Sequence, residues 1–260
     1  MAVNWLKWLF TTIFIIFLLF IIITYGSLFS LLKGADLVGI FKSGKFLGPF
    51  FFSLISSAAA AILAGLVAIP SAYILSRYTF PGKELAEGIL FLPVLVPPLV
   101  SGLALLVLFS SSGGQWLAAQ GLKFIFTPAG AILAQFFIAT PFALRTIKVA
   151  LSKVELSLEE TASTLGDSPA RIFTRITLPL ARHGIIAGLL LAWARAMGEF
   201  GATIMLAGSL ARYTETLPVA IFLRFSTGEL ETAVAMAALM MLLALLIMVI
   251  TRRTFFPQQL

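Results

Sequence analysis

Two charged side chains stand inside an otherwise apolar run. They are Arg195 and Glu199, four residues apart in Ala194-Arg195-Ala196-Met197-Gly198-Glu199-Phe200-Gly201-Ala202. On a helix this spacing places them on one face, although acid before base is the better order. Charges at membrane depth are costly and normally face a bundle interior or a watery cavity. Two roles stay open. As a mutually neutralising pair they would fix helix packing, since a paired charge is the cheapest buried one. Alternatively Arg195 supplies positive potential along an anion pathway, with Glu199 releasing or gating it.

Other chemistry is sparse. The chain has no cysteine and one histidine, His183, so disulfides, thiol nucleophiles and cysteine-based zinc sites are excluded and no metal cluster is expected. Glu155, Glu159 and Glu160 lie close together, and a solvated helix face explains them better than acid/base catalysis. Gly39-x-x-x-x-Gly44-Lys45 follows the phosphate-loop spacing, but Phe46 stands where serine or threonine would hold magnesium, and no strand precedes it. Nucleotide binding is therefore not expected on this chain. Its basic residues sit singly at segment ends, unlike an aromatic-interleaved nucleic-acid patch.

The elements that must position these groups are membrane helices. With 60% hydrophobic residues, 11% charged residues and a mean hydropathy of +1.06, the chain lies far outside soluble composition. Six stretches are long and apolar enough to cross a bilayer: Trp5–Phe29, Pro49–Ser76, Gly88–Phe109, Thr127–Ala150, His183–Ala207 and Glu231–Thr251. The first is too long for a signal peptide and lacks a small-residue cleavage site, so it reads as a retained anchor. Pro93, Pro97 and Pro98 kink the third crossing. Gly198 and Gly201 permit close helix contact or a kink in the fifth.

Placing the amino terminus inside puts eleven lysines and arginines in the cytoplasm, among them Arg77, Arg145, Lys148 and Arg182, against six outside. Both termini and the polar island from Leu151 to Arg182 are then cytoplasmic.

That island reads as two short helices around a tight corner. Ser157-x-x-Glu160 has capping-box spacing, and Leu158, Ala162 and Leu165 are expected to share a face. Gly166 suits a left-handed C-terminal position, Asp167 or Ser168 caps the second helix, and Pro169 opens it. Ile172, Phe173, Ile176 and Leu180 form an apolar stripe, with Arg171, Arg175 and Arg182 on another face. Pro179 is expected to end this helix before the fifth crossing.

The run Glu160-Thr161-Ala162, then Gly166, then Ile176-x-Leu178-Pro179 resembles the cytoplasmic loop signature of permease subunits in ATP-binding-cassette importers. It departs from that pattern at Thr161, where the family most often has alanine. Arg195-x-x-Gly198-Glu199-Phe200-Gly201-Ala202 is similar to a run in the oxyanion permeases for molybdate, tungstate and sulfate. Arg77-Tyr78-Thr79-Phe80-Pro81-Gly82-Lys83 and Leu92-Pro93 through Pro97-Pro98 look like further parts of that group. The resemblance spans roughly Pro49 to Leu260 and is nearest to the molybdate/tungstate permeases.

The resemblance implies an all-α, type I importer permease occupying 1–260 as a single transmembrane domain. It further implies a multi-pass protein of the prokaryotic cytoplasmic membrane that works as a homodimer. Two ATPase subunits carrying ATP and magnesium would dock on residues 155–180, with contacts expected from Glu160, Thr161, Ala162, Leu165, Gly166, Asp167, Ser168, Ile176, Leu178 and Pro179. An extracytoplasmic oxyanion-binding protein would deliver cargo, and this chain itself would bind no cofactor, metal or nucleic acid. An independent secondary transporter and a membrane scaffold are the rival classes.

Overall fold

The computed structural model describes residues 2–30, 32, 40, 44–210 and 213–255. All elements described are helices: α1 Ala2–Ser30, α2 Leu47–Arg77, α3 Lys83–Leu95, α4 Pro98–Ser110, α5 Ser112–Ala119, α6 Pro128–Ser152, α7 Leu156–Thr164 and α8 Pro169–Ile172. A π-helical segment, Phe173–Thr177, leads into α9 Leu178–Met197, followed by α10 Gly201–Ala207, α11 Leu217–Ser226 and α12 Leu230–Phe255. The chain divides into two compact units, residues 1–46 with 220–260, and residues 47–219.

In the first unit α1 packs against α12. The apolar side chains of α1 run around its whole circumference, and its span Trp5–Ser30 has a mean hydropathy of 2.6 with no buried residue, as a lipid-facing helix requires. The glycine-lysine run lies partly outside the described residues. Of what is described, Gly44 is left-handed (φ 70°) and Lys45 Nζ donates to Glu229 Oε2 at 3.0 Å. That hydrogen bond, ahead of the charge of Arg224, pulls the Glu229 carboxyl below the usual carboxylate range.

The second unit is built on α2, α6 and α9. Ala60, Ala64, Ala68 and Ala72 recur every four residues along α2 and are fully buried against Ala139, Ala143 and Ile147 of α6 and Ile185, Ala192 and Ala196 of α9. Lipid tails are as apolar as leucine, so burial drives no helix association in a membrane; close packing of small residues does. At Gly184 of α9 even one added carbon would lie 2.2 Å from Ala150 Cβ.

The third predicted crossing is not one rod. α3 and α4 meet at a 110° bend, and Val96 (φ −84°, ψ 133°) and Pro97 (φ −53°, ψ 136°) are extended. Each precedes a proline, which disfavours the helical region for the residue before it, and both of these successive residues take the extended alternative. Pro98 then opens α4, where a missing amide costs nothing. Beyond the bend, Leu105 of α4, Ala134 and Ile138 of α6, and Ala202 and Leu206 of α10 form a second core.

The fifth predicted crossing also breaks. α9 ends at Met197, and Gly198 to Phe200 separate it from α10. Among the described residues four helices are long and apolar enough to span a membrane, or five if the bent pair counts as one. Within α12, Leu230–Leu246 covers most of the sixth predicted span and counts as a shorter apolar helix, and α11 is an apolar helix that the sequence reading did not anticipate.

Gly102 sets how closely α4 meets α10, since a side-chain carbon there would lie 2.6 Å from Ala202 Cα. Gly102→Val is expected to cost about 1–3 kcal/mol by overpacking, read as a lowered melting temperature of the detergent-purified chain. Gly88→Val, at a position with open space around it, is expected to change stability by less than about 0.5 kcal/mol.

Candidate functional site

The polar island folds as an elbow. α7 starts after Glu155, whose backbone is extended (ψ 128°) and which makes no side-chain cap. The expected capping box is absent: Ser157 Oγ turns back to Glu155 Oε2 at 3.5 Å, and Glu160 points into the open. Thr161 Oγ1 donates to the Ser157 carbonyl at 2.7 Å, so threonine at this position satisfies itself within the helix.

The end of α7 matches the sequence expectation. Gly166 is left-handed (φ 89°), the Asp167 amide donates to the Ala162 carbonyl at 3.0 Å, and the Gly166 amide to that of Ser163 at 3.0 Å, the two bonds of a Schellman motif. Open space surrounds Gly166, so glycine is required for conformation and not for room. Ser168 occupies the cap of α8 without a side-chain bond, while Asp167 Oδ1 accepts from Arg171 Nη1 at 2.9 Å.

Pro179 does not end the second helix, contrary to expectation. Proline offers no amide to the Arg175 carbonyl and its ring crowds that oxygen. The turn before it widens into the π segment, where the Leu178 amide reaches the Phe173 carbonyl, and α9 continues. Pro169–Met197 is therefore one helical run of 29 residues that begins in the elbow and ends at the break before α10.

One largely buried carboxylate joins the elbow to the rest of the second unit. Glu159 Oε1 accepts from Arg77 Nη2 at 2.8 Å and Arg77 Nε at 3.2 Å, and Oε2 accepts from Nε at 3.0 Å. Thr177 Oγ1, in the π segment, donates to the same Oε1 at 2.7 Å, and Arg77 Nη2 also reaches the Val154 carbonyl at 3.1 Å. Only 6% of the Arg77 side chain and 11% of Glu159 are exposed. The clamp thus ties the last residue of α2, the α6–α7 junction, α7 and the π segment at one point. Phe173 adds an edge-on contact with Tyr73, ring centroids 5.0 Å apart.

Glu159 therefore does not belong to a solvated face with Glu155 and Glu160. The available signal was Arg77, a guanidinium closing an apolar span, which needs an acidic partner if it is buried.

The sequence-chosen elbow residues separate by exposure. Ala162 is buried, Asp167, Ile176 and Leu178 are half-buried, and Glu160, Thr161, Leu165, Gly166, Ser168 and Pro179 are exposed. Leu158, Ala162 and Leu165 do not share a buried face, since Leu158 and Leu165 point outward with Leu156 while Ala162 points in. A groove of about 590 Å³ between α6, α7 and α9, walled by Val149, Ala150, Leu158, Leu180 and Gly184, lies beside this apolar edge.

At the other end of α9 the charged pair forms. Arg195 Nη1 lies 2.7 Å from Glu199 Oε2, with Glu199 buried. Glu199 Oε1 also accepts from the Ala202 amide at 2.8 Å, so the carboxylate holds the start of α10. Arg195 sits 5.8 Å from the centroid of the Phe142 ring.

Three comparisons bear on this geometry. Residues 60–257 match the family model described as binding-protein-dependent transport system inner membrane component. The molybdenum transport system permease protein ModB of Haemophilus influenzae is 39% identical over 197 residues, covering 74% of this chain and 86% of that protein. The sulfate transport system permease protein CysT of Escherichia coli is 36% identical over 198 residues, 75% of this chain and 72% of that one. A crystal structure of a bacterial ABC transporter involved in import of the polysaccharide alginate superposes with a TM-score of 0.75 at 19% identity, over 97% of this chain and 96% of that chain. That likeness shows the fold. Molybdenum and sulfate relatives match about equally well, so similarity does not choose between these cargoes.

Removing one partner of the clamp leaves a buried charge uncompensated. Glu159→Gln or Arg77→Met is expected to destabilise the chain by about 3–5 kcal/mol in denaturant titration. The double variant is expected to cost clearly less than the two added together, which a double-mutant cycle reads directly.

Proposed function

The chain belongs to the family of binding-protein-dependent transport system inner membrane components, and we propose that within it the chain is the membrane-spanning permease subunit of an ATP-driven importer for a tetrahedral oxyanion, molybdate or tungstate first and sulfate second. The observation that carries this reading is the elbow. It presents Glu160 and the apolar side chains of Leu156, Leu158 and Leu165 outward, while Glu159 fastens its inner side to the end of α2 and to the run that becomes α9. A surface of that kind suits docking by a separate ATPase, and the fastening gives the docked subunit a grip on the membrane helices.

In this mechanism two copies of the chain form the pathway as a single permease domain each, with both termini and residues 155–180 on the cytoplasmic side. ATP and magnesium are held by two partner ATPases. Closure of the ATPase pair shifts the elbow, the clamp passes the shift to α2 and α9, and the pathway changes face, which is coupling through a bistable element biased from one side. An extracytoplasmic oxyanion-binding protein supplies cargo and most of the affinity. The molybdenum relative supports the first cargo reading and the sulfate relative the second.

The test is co-purification with an ATPase, followed by measurement of oxyanion uptake and ATP hydrolysis in proteoliposomes. Glu160→Arg is expected to weaken docking about tenfold to a hundredfold, the worth of one charge-assisted contact. Gly166→Pro demands a φ near −65° where the elbow has 89°, and is expected to leave ATP hydrolysis uncoupled from uptake. Normal coupling in both variants, or flux driven by the chain with no ATPase, would overturn the reading in favour of a secondary transporter. Arg195→Ala is expected to abolish uptake with assembly intact; undiminished uptake would leave Arg195 and Glu199 a packing role alone.

A further inference from the structure

A second groove, of about 530 Å³, opens where α3 crosses the last turns of α6. Arg145, Lys148, Val149, Ser152 and Lys153 line it at helical three- and four-residue spacing, and α3 contributes Glu87 and Phe91. Lys148 Nζ is hydrogen-bonded to Glu87 Oε1. Arg145 and Lys153 are exposed and have no ion-pair partner among the described residues. Ser152 Oγ donates to the Lys148 carbonyl at 2.9 Å, which leaves its oxygen free to accept.

Three cations thus meet one carboxylate, an excess of two. α6 carries no acidic residue, and neither Glu84 nor Glu155 lines the groove. The negative end of the α6 dipole opposes an anion here, but it is worth only about half a charge, so the cationic excess wins. Phe91 and Val149, the latter 53% exposed, add an apolar wall beside the charges.

We propose that this groove binds a tetrahedral phosphate-type oxyanion, held by the Arg145 fork and the Lys148 and Lys153 ammonium groups. A guanidinium fork with flanking ammonium groups matches the several oxygens of such an anion. The anion comes either on a lipid headgroup, whose glycerol and acyl chains fit the Phe91–Val149 wall, or free in solution. Placing the groove on the cytoplasmic side rests on the reading above; the binding itself does not.

The experiment uses the full chain in nanodiscs. In discs of phosphatidylcholine with added phosphatidylglycerol, native mass spectrometry counts the anionic lipid retained. In pure phosphatidylcholine discs, calorimetry titrates inorganic phosphate and sulfate. Arg145→Gln/Lys148→Gln is expected to lose about thirtyfold in affinity for whichever anion binds, the worth of two cations near a membrane surface. Glu87→Gln, which frees Lys148 from its competing carboxylate, is expected to tighten binding, a direction that misfolding does not mimic. Retained phosphatidylglycerol identifies a headgroup, and phosphate or sulfate binding without it identifies a free anion. The proposal is overturned if the wild-type chain binds none of these, if the double variant binds as well as wild type, or if Glu87→Gln weakens binding. Coupling to an ATPase is measured separately, so failure here leaves the permease reading standing, and the reverse.

Discussion

A guanidinium buried without a counter-charge is among the costliest things a folded chain can carry, and the second unit is arranged so that Arg77 never is. Its partner comes from 82 residues away, on a helix of nine residues that could not hold its place by packing alone. Satisfying Arg77 therefore fixes α7, and through Thr177 and the Val154 carbonyl it fixes what lies on either side of α7. Exposure of Glu160 follows, because on one short helix the residue after an inward-facing carboxylate turns away from it. The two adjacent glutamates differ accordingly, one holding the elbow to its own chain and the other exposed.

Proline acts in two opposite ways here, and the difference lies in what each ring displaces. At Pro97-Pro98 two successive residues are each biased away from the helical region, both are extended, and the chain turns through 110°. At Pro179 a single ring removes one hydrogen bond, and a wider turn absorbs the loss without ending the helix. Counting prolines in the sequence could not separate these cases, because the outcome depends on whether the neighbouring backbone has a second arrangement that keeps its carbonyls satisfied.

Features decided by one residue's own conformational limits were the most legible in the sequence. Gly166 was read as left-handed and is; Thr127 starts the fourth predicted span by accepting from the Gly130 amide, within a residue or two of the expected boundary. Arg195 and Glu199 pair as their spacing allowed, and the break after Met197 falls where Gly198 was read as permitting a kink, yet the carboxylate's second bond to Ala202 was not visible, since it depends on how α10 packs. The role of Glu159 was missed for a related reason: an amphipathic reading judges a carboxylate by its neighbours along the chain, while its burial was set by an arginine from a different helix. The fold class followed from composition and the family from spacing. The cargo follows from neither, because molybdenum and sulfate relatives are about equally similar to this chain.

The unbroken run from Pro169 to Met197 has a mechanical corollary. At 1.5 Å per residue a rod of 29 residues is about 43 Å long, well beyond the roughly 30 Å of bilayer hydrocarbon. Pivoted near its elbow end, such a rod amplifies: a tilt of about 5° sweeps the far tip through about 4 Å, most of one helical pitch. Had Pro179 introduced a flexible joint, that gain would have dissipated in bending. A displacement at the elbow end too small to disturb its own packing would therefore be legible at the Arg195–Glu199 end.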